Sequence, residues 1–229
     1  MNEEFTKLHM AAARARKARN WGMVTSCAGE MLRRWPDHPE GHFLTGLAER
    51  AQKNQQRATA AFERALSLDA RRYDAAIELA NQYSFARKNG EAAALLAKYE
   101  SMLDNSPLYL DLAGAVYTDI GLSQKAWPLF KKANALQPNI EIFKANLATC
   151  AVFLGKIDEA KKLYRSLLER NPHHRRNHYE LSRLQKAKDF DHVDQMKEII
   201  RVNNDSPERA IPLCYGIGKE LEDLGQWEE

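Results

Sequence analysis

The sequence predicts an all-α chain, a stack of about six helix hairpins, and three observations predict it. Columns of like residues recur at a constant spacing of 34 along most of the 229-residue chain. The columns are small or bulky in the way that closely packed helix pairs require. Turn-forming and helix-capping residues fall between them at matching places. A fixed period of this length marks a solenoid of repeated helical units rather than one closed core.

The period shows first where helices end. Leu136-Gln137-Pro138-Asn139 is matched 34 residues on by Arg170-Asn171-Pro172-His173, and steps back from Pro138 reach Asp104, Ala70 and Pro36. A small column runs Ala12, Gly46, Ala80, Gly114, Ala148, Ser182. A second reads Val24, Ala58, Ala92, Ala126, Ala160; a third Ala28, Phe62, Leu96, Phe130, Tyr164; a fourth Met31, Ala65, Tyr99, Ala133, Leu167. Paired helices approach to about 8–10 Å only over small side chains. Gly46 and Gly114 on first helices are therefore expected to face Ala58 and Ala126 on second helices. The third column lies one turn further along the same face, where it would fill the space between one hairpin and the next.

Taken in order, the first unit, near 5–38, is degenerate apart from Pro36. The unit 39–72 keeps Gly46, Ala58, Phe62 and Ala65, and the unit 73–106 lacks a turn glycine in register, although Gly90 lies nearby. In the unit 107–140, Ser106-Pro107 places an N-cap before a proline at the first helical position. Gly121 falls in the tight turn, where a left-handed residue is useful. Pro128 follows Ser123, a plausible N-cap, closely enough that few amide donors are lost. The unit 141–174 repeats the pattern with Leu147, Ala148, Gly155, Ala160, Tyr164 and Pro172. A sixth unit starts at Arg175 with Tyr179, Leu181, Ser182 and Leu184, giving an array over 1–188. The remainder, 189–229, reads as an irregular helical segment (Phe190, Val193, Met196, Ile199, Ile200) with Asp194 where the alanine column should stand. Asn203-Asn204-Asp205-Ser206-Pro207 is a loop with a fresh helix start. The tail Leu213 to Trp227 reads as the first helix and turn of a truncated further repeat, with Gly218 in the small place and Gly225 at the turn. A lone first helix leaves an apolar face uncovered, so the chain is expected to be a fragment of a longer protein.

These columns resemble the tetratricopeptide-repeat (TPR) family. Gly114, Tyr117, Gly121, Ala126, Phe130, Ala133 and Pro138 stand in the family's places, and the match is clear over about residues 5–188. The resemblance implies a right-handed α–α superhelix and a non-catalytic protein-interaction scaffold whose first helices form the concave side. Residues 171–227 also resemble the region joining TPR arrays to a C-terminal sulfotransferase domain in certain bacterial proteins. The residues concerned are Asn171-Pro172-His173-His174, Asn177-His178-Tyr179-Glu180-Leu181-Ser182, His192-Val193-Asp194-Gln195-Met196 and Gly218 to Gly225. As an alternative, that resemblance implies the substrate-recruiting, non-catalytic region of a two-domain sulfotransferase, with the cofactor loop beyond residue 229.

Composition narrows the classes. The apolar share of 44% and charged share of 28% are those of a folded chain. A net charge of +3, from 34 basic and 31 acidic residues, argues against a dedicated nucleic-acid binder. No apolar run approaches the roughly 20 residues that span a bilayer. Met1-Asn2-Glu3-Glu4-Phe5 lacks a secretory signal's basic start, so a cytoplasmic location is the default. Cys27, Cys150 and Cys214 are odd in number and far apart, and are expected to be buried thiols rather than a disulfide or zinc framework. No cofactor or metal is expected.

Stepping by 34 through the first helices gives three concave columns: His9, Phe43, Ile77, Asp111, Ala145, Tyr179; Ala13, Leu47, Asn81, Ala115, Thr149, Arg183; and Lys17, Ala51, Phe85, Asp119, Phe153, Ala187. The Lys and Asn clamp with which chaperone-binding TPR proteins hold a C-terminal carboxylate is not carried over. The expected groove is a largely apolar trough of Phe43, Leu47, Ile77, Phe85 and Phe153, with Asn81, Asp111 and Asp119 as polar points. It suits an extended peptide, a helix or a neighbouring domain, including the chain's own missing C-terminal domain. The same residues would equally pack between neighbouring first helices. Arg175 and Arg176 offer fork-shaped donors for an anion or a domain contact. His174 and His178 lie four apart, as metal ligands on a helix do, but the adjacent arginines would repel a cation, and a solvated helix start is expected. Gly216-Ile217-Gly218-Lys219 lacks the strand and following Ser or Thr of a phosphate loop. Arg14, Arg16, Lys17 and Arg19 are expected to be the solvated face of the first helix.

Overall fold

A computed structural model describes residues 3–103 and 106–226; Asp104, Asn105 and Trp227, which entered the sequence pattern, lie outside the described residues. Among the described residues the chain is all helical: α1 (Glu3–Lys17), α2 (Trp21–Arg34), α3 (Pro39–Ala51), α4 (Gln55–Leu68), α5 (Tyr73–Phe85), α6 (Asn89–Tyr99), α7 (Pro107–Asp119), α8 (Ser123–Leu136), α9 (Glu141–Phe153), α10 (Ile157–Arg170), α11 (Arg175–Leu184), α12 (Asp191–Asn203) and α13 (Pro207–Asp223), with a 3-10 turn at Glu100–Met102. The fold is a helical solenoid. It divides into two compact units, Met1–Leu122 and Ser123–Glu229.

In the first unit, α1 pairs with α2, α3 with α4 and α5 with α6, while α2 packs on α3, α4 on α5 and α5 on α7. The period is written in the backbone as well as in the side chains. Arg19, Lys53, Arg87, Gly121 and Gly155 all have positive φ, between 54° and 83°, and each stands 34 residues from the next. Each is the left-handed residue in the short turn that follows a first helix. The first three turns hold a cation where the later two hold glycine, at a cost of about 1–2 kcal/mol each. Gly90 takes no part in this and lies inside α6. Ser106 sits at the N-cap of α7 without a side-chain cap bond.

All members of the second, third and fourth columns are buried. The partner of Gly46 differs from the expectation, however. A Cβ on Gly46 would come within 2.5 Å of the Phe62 ring, so the glycine makes room for the bulky third column inside its own hairpin. Side chains on a helix lean toward its N-terminus, over the preceding turn. Phe62 therefore covers the surface beside Ala58. Phe43 packs on the same ring, with centroids 5.9 Å apart.

In the second unit, α8 packs on α9, α9 on α10 and α10 on α11. The pattern then changes. After α11, only ten residues long, the segment 185–190 replaces the short turn, and α11 packs against α13, which also contacts α12. Gly216, not Gly218, is the small contact: a Cβ there would meet Met196 Sδ at 2.9 Å and Ser182 Oγ at 3.2 Å, whereas Gly218 faces open space. The tail helix is thus covered on one side, through Ala210, Leu213, Gly216 and Leu221, and open on the other, at Ile211, Cys214 and Tyr215. Gly225, with φ of 76°, ends it as the repeat requires.

Candidate functional site

First helices α1, α3, α5 and α7 face a 610 Å³ cavity in the first unit, lined among others by Arg16, Leu47, Arg50, Glu78, Tyr109 and Asp111. Lys17 and Arg19 stand at the same cavity. Arg50 and Glu78 form an ion pair within it. Glu78 is buried, and that burial pushes its carboxyl up to about 7, against the pull of Arg50 and Arg16. Burial also raises Tyr109, helped by the carboxylates of Asp74 and Glu78, while Arg16, which donates to its oxygen, acts the other way. A second network adjoins. Arg72 holds Asp74 through a fork, Nε to Oδ1 at 2.8 Å and Nη2 to Oδ2 at 2.7 Å, and its Nη1 reaches Glu40 at 2.8 Å. Glu40 also meets His9 Nδ1 at 3.0 Å. The Arg72 guanidinium lies 4.6 Å from the centroid of the Phe43 ring.

The expected groove residues divide. Phe43 and Ile77 are 1% and 0% exposed and sit beneath the surface; Leu47 is buried but borders the cavity, as does Asp111. Asn81 is half-buried and Asp119 exposed. Phe85 is 61% exposed and lines a separate 360 Å³ pocket between α4 and α5. Phe153, 63% exposed, belongs to the second unit. The seven of these residues in the first unit do not make one continuous apolar trough, and the cavity is ionic at its centre. A first helix must also bury a face against second helices, and the column through Phe43 and Ile77 does that. The cavity is served instead by Arg16 and Arg50, themselves 34 apart, and by Glu78. Charge recurring at the period was the signal in the sequence, and Arg16 is not simply part of a solvated face.

In the second unit, Arg175 is engaged in a two-pronged pair with Asp205, its Nε to Oδ2 at 2.5 Å, and Arg176 is exposed with Glu180 at 3.3 Å. The histidines are not all solvated. His174 accepts from the Asn177 amide as the cap of α11. His178 is buried in a chain: its Nε2 meets the Pro172 carbonyl at 2.7 Å, its Nδ1 meets His192 Nε2 at 2.9 Å, and His192 Nδ1 meets Glu220 Oε1 at 2.7 Å. Burial lowers the His178 pKa. Among the described residues no group of His, Cys, Asp and Glu could hold a metal ion. Lys219, inside α13, donates to the Gln185 carbonyl at the end of α11 and to Asp223 on its own helix. Cys27 and Cys150 are buried as expected, but Cys214 is exposed. Among the described residues no helix is long and apolar enough to cross a membrane.

Models of the tetratricopeptide repeat match residues 26–70 and 143–174. Comparison with curated proteins gives no significant match. Among solved structures, YrrB, described as a TPR protein with an unusual peptide-binding site, is similar at 17% identity and a TM-score of 0.60, covering 80% of this chain and 95% of its own. A thermophilic TPR protein of Thermus thermophilus is similar at 17% identity and a TM-score of 0.63, covering 79% and 98%. Pseudomonas aeruginosa pilF is similar at 12% identity and a TM-score of 0.62, covering 98% of both chains. At these identities the likeness is one of fold.

Proposed function

We propose that this chain, a tetratricopeptide-repeat protein folded as a helical solenoid, is a non-catalytic binding scaffold whose first-unit cavity takes an acidic segment of a partner polypeptide. The observation that carries this reading is the charge at the cavity: Arg16, Lys17, Arg19 and Arg50 stand against Glu78 and Asp111. Glu78 is already engaged by Arg50, and four cations face two carboxylates, so the balance presented to a ligand is positive. The likeness to YrrB supports a peptide as the class of ligand.

Fluorescence anisotropy with three labelled peptides of equal length, acidic, neutral and basic, tests it. The acidic peptide should bind tightest, with affinity falling as salt rises. Reversing Arg16 and Lys17 together (Arg16→Glu, Lys17→Glu) should weaken it about tenfold or more. Equal binding of all three, or indifference to the reversal, sinks the proposal. A second reading rests on the resemblance of residues 171–227: the array recruits substrate for a sulfotransferase domain of the same polypeptide. Sequencing the parent reading frame past Glu229 decides it, and a stop codon or an unrelated domain there removes it.

A further inference from the structure

Gln82 on α5 is 2% exposed, and neither its Oε1 nor its Nε2 has a hydrogen-bond partner. Buried polar groups in native proteins are almost always satisfied, and an orphaned one costs more than an ordinary hydrogen bond returns. The fold does not call for an amide here. Ala48, Val116 and Cys150 hold the same place in the neighbouring repeats, and all are buried. Gln82 is the buried polar exception in that column, whose other polar member, Arg14, is exposed.

It also lines the 360 Å³ pocket between the start of α4 and the end of α5, beside Thr59, Glu63 and Phe85. Three of the other polar groups there, on Thr59, Glu63 and Tyr83, are engaged. Thr59 donates to the Gln55 carbonyl at 3.0 Å, and the Tyr83 hydroxyl donates to Glu63 at 3.0 Å. Lys88 stands at the same pocket, 5.6 Å from the Tyr83 ring centroid. An exposed phenyl ring thus lies beside a carboxamide with both hydrogen-bonding functions free, between one anion and one cation.

We propose that this pocket is a second binding site, separate from the ionic cavity, for an extended polypeptide segment. A carboxamide presents a C=O and an N–H side by side. In an extended chain each residue points its own N–H and C=O to the same side, which is how facing residues of an antiparallel pair exchange two bonds. One such residue satisfies both ends of Gln82. A helical ligand has already spent those groups on itself. The side chain of the next residue lies over Phe85 and should be apolar.

The test uses the whole chain, labelled with 15N, and an acetylated, amidated octapeptide of alternating Thr and Val as the probe. The Gln82 side-chain NH₂ pair is assigned by its loss in Gln82→Leu, a variant expected to stay folded because Ala48, Val116 and Cys150 are buried at the same place in other repeats. The peptide should shift that pair. Gln82→Leu should weaken binding about tenfold, and Phe85→Ser should weaken it without moving the thermal midpoint. N-methylation of single peptide amides should be harmful at alternate residues only. The double reversal of Arg16 and Lys17 should change nothing, which separates this site from the acidic-segment reading. The proposal is overturned if the NH₂ pair stays unmoved at about 1 mM peptide, or if binding ignores Gln82→Leu. It is equally overturned if acetamide shifts the pair as strongly as the peptide, or if the amide protons show a long-lived buried water as their partner.

Discussion

Two buried titrating residues pull stability in opposite directions as pH changes. The folded carboxyl of Glu78 is raised to about 7, above an ordinary value of about 4.3. The folded state therefore binds more protons than the unfolded one between those limits, and first-unit stability should fall as pH rises through that window. Glu78→Gln should flatten that slope. His178 is the reverse case, with a folded pKa lowered by burial. The unfolded chain takes up its proton first, so the second unit should lose stability as pH falls through about 6.5. Urea titrations at several pH values, followed by Trp21 and Trp35 in the first unit and Trp127 in the second, would read both. Parallel slopes would contradict the assignment. Neither group was legible in the sequence. A column fixes which residues share a helix face, but the burial of Glu78 depends on Arg50, 28 residues away, and that of His178 on α13.

At the level of the element, most of the structure was legible, because a hairpin needs small residues at its crossing and a left-handed residue at its turn. Gly155→Ala should destabilise the chain by about 1–2 kcal/mol, since it forces a Cβ into positive φ. Arg87→Gly, at a turn that already carries that strain, should change stability by no more than about 1 kcal/mol in either direction. Gly46→Ala should cost about 1–3 kcal/mol by overpacking Phe62. Urea midpoints rank the three, and a harmless Gly46→Ala would show that the ring has room to move. What the period did not reveal is the exchange at its end. Gly216 and Gly218 are equally small, and only the seating of α13 on α11, where the turn after Leu184 is lengthened, decides which one is enclosed.

For the whole molecule, the solenoid followed from repetition itself, since units that cannot bury their own faces must stack. The ligand surface followed less well. Repetition identifies the first helices as a set, and Leu47 and Asp111 of its columns do border the cavity, yet the charged side chains Arg16, Arg50 and Glu78 come from positions between those columns. If the acidic segment binds the first unit, it should stabilise that unit by about 2.7 kcal/mol at a hundredfold excess over Kd. The tryptophans Trp21 and Trp35 should then report a later urea transition. An unmoved transition at saturating peptide would place the ligand elsewhere.

The uneven fate of the three thiols has a practical side. Cys27 and Cys150 are sealed in the interior and Cys214 stands open on the outer face of α13. A maleimide dye added to the native chain should thus attach at one place only, giving an optical reporter on the last helix with no residue replaced.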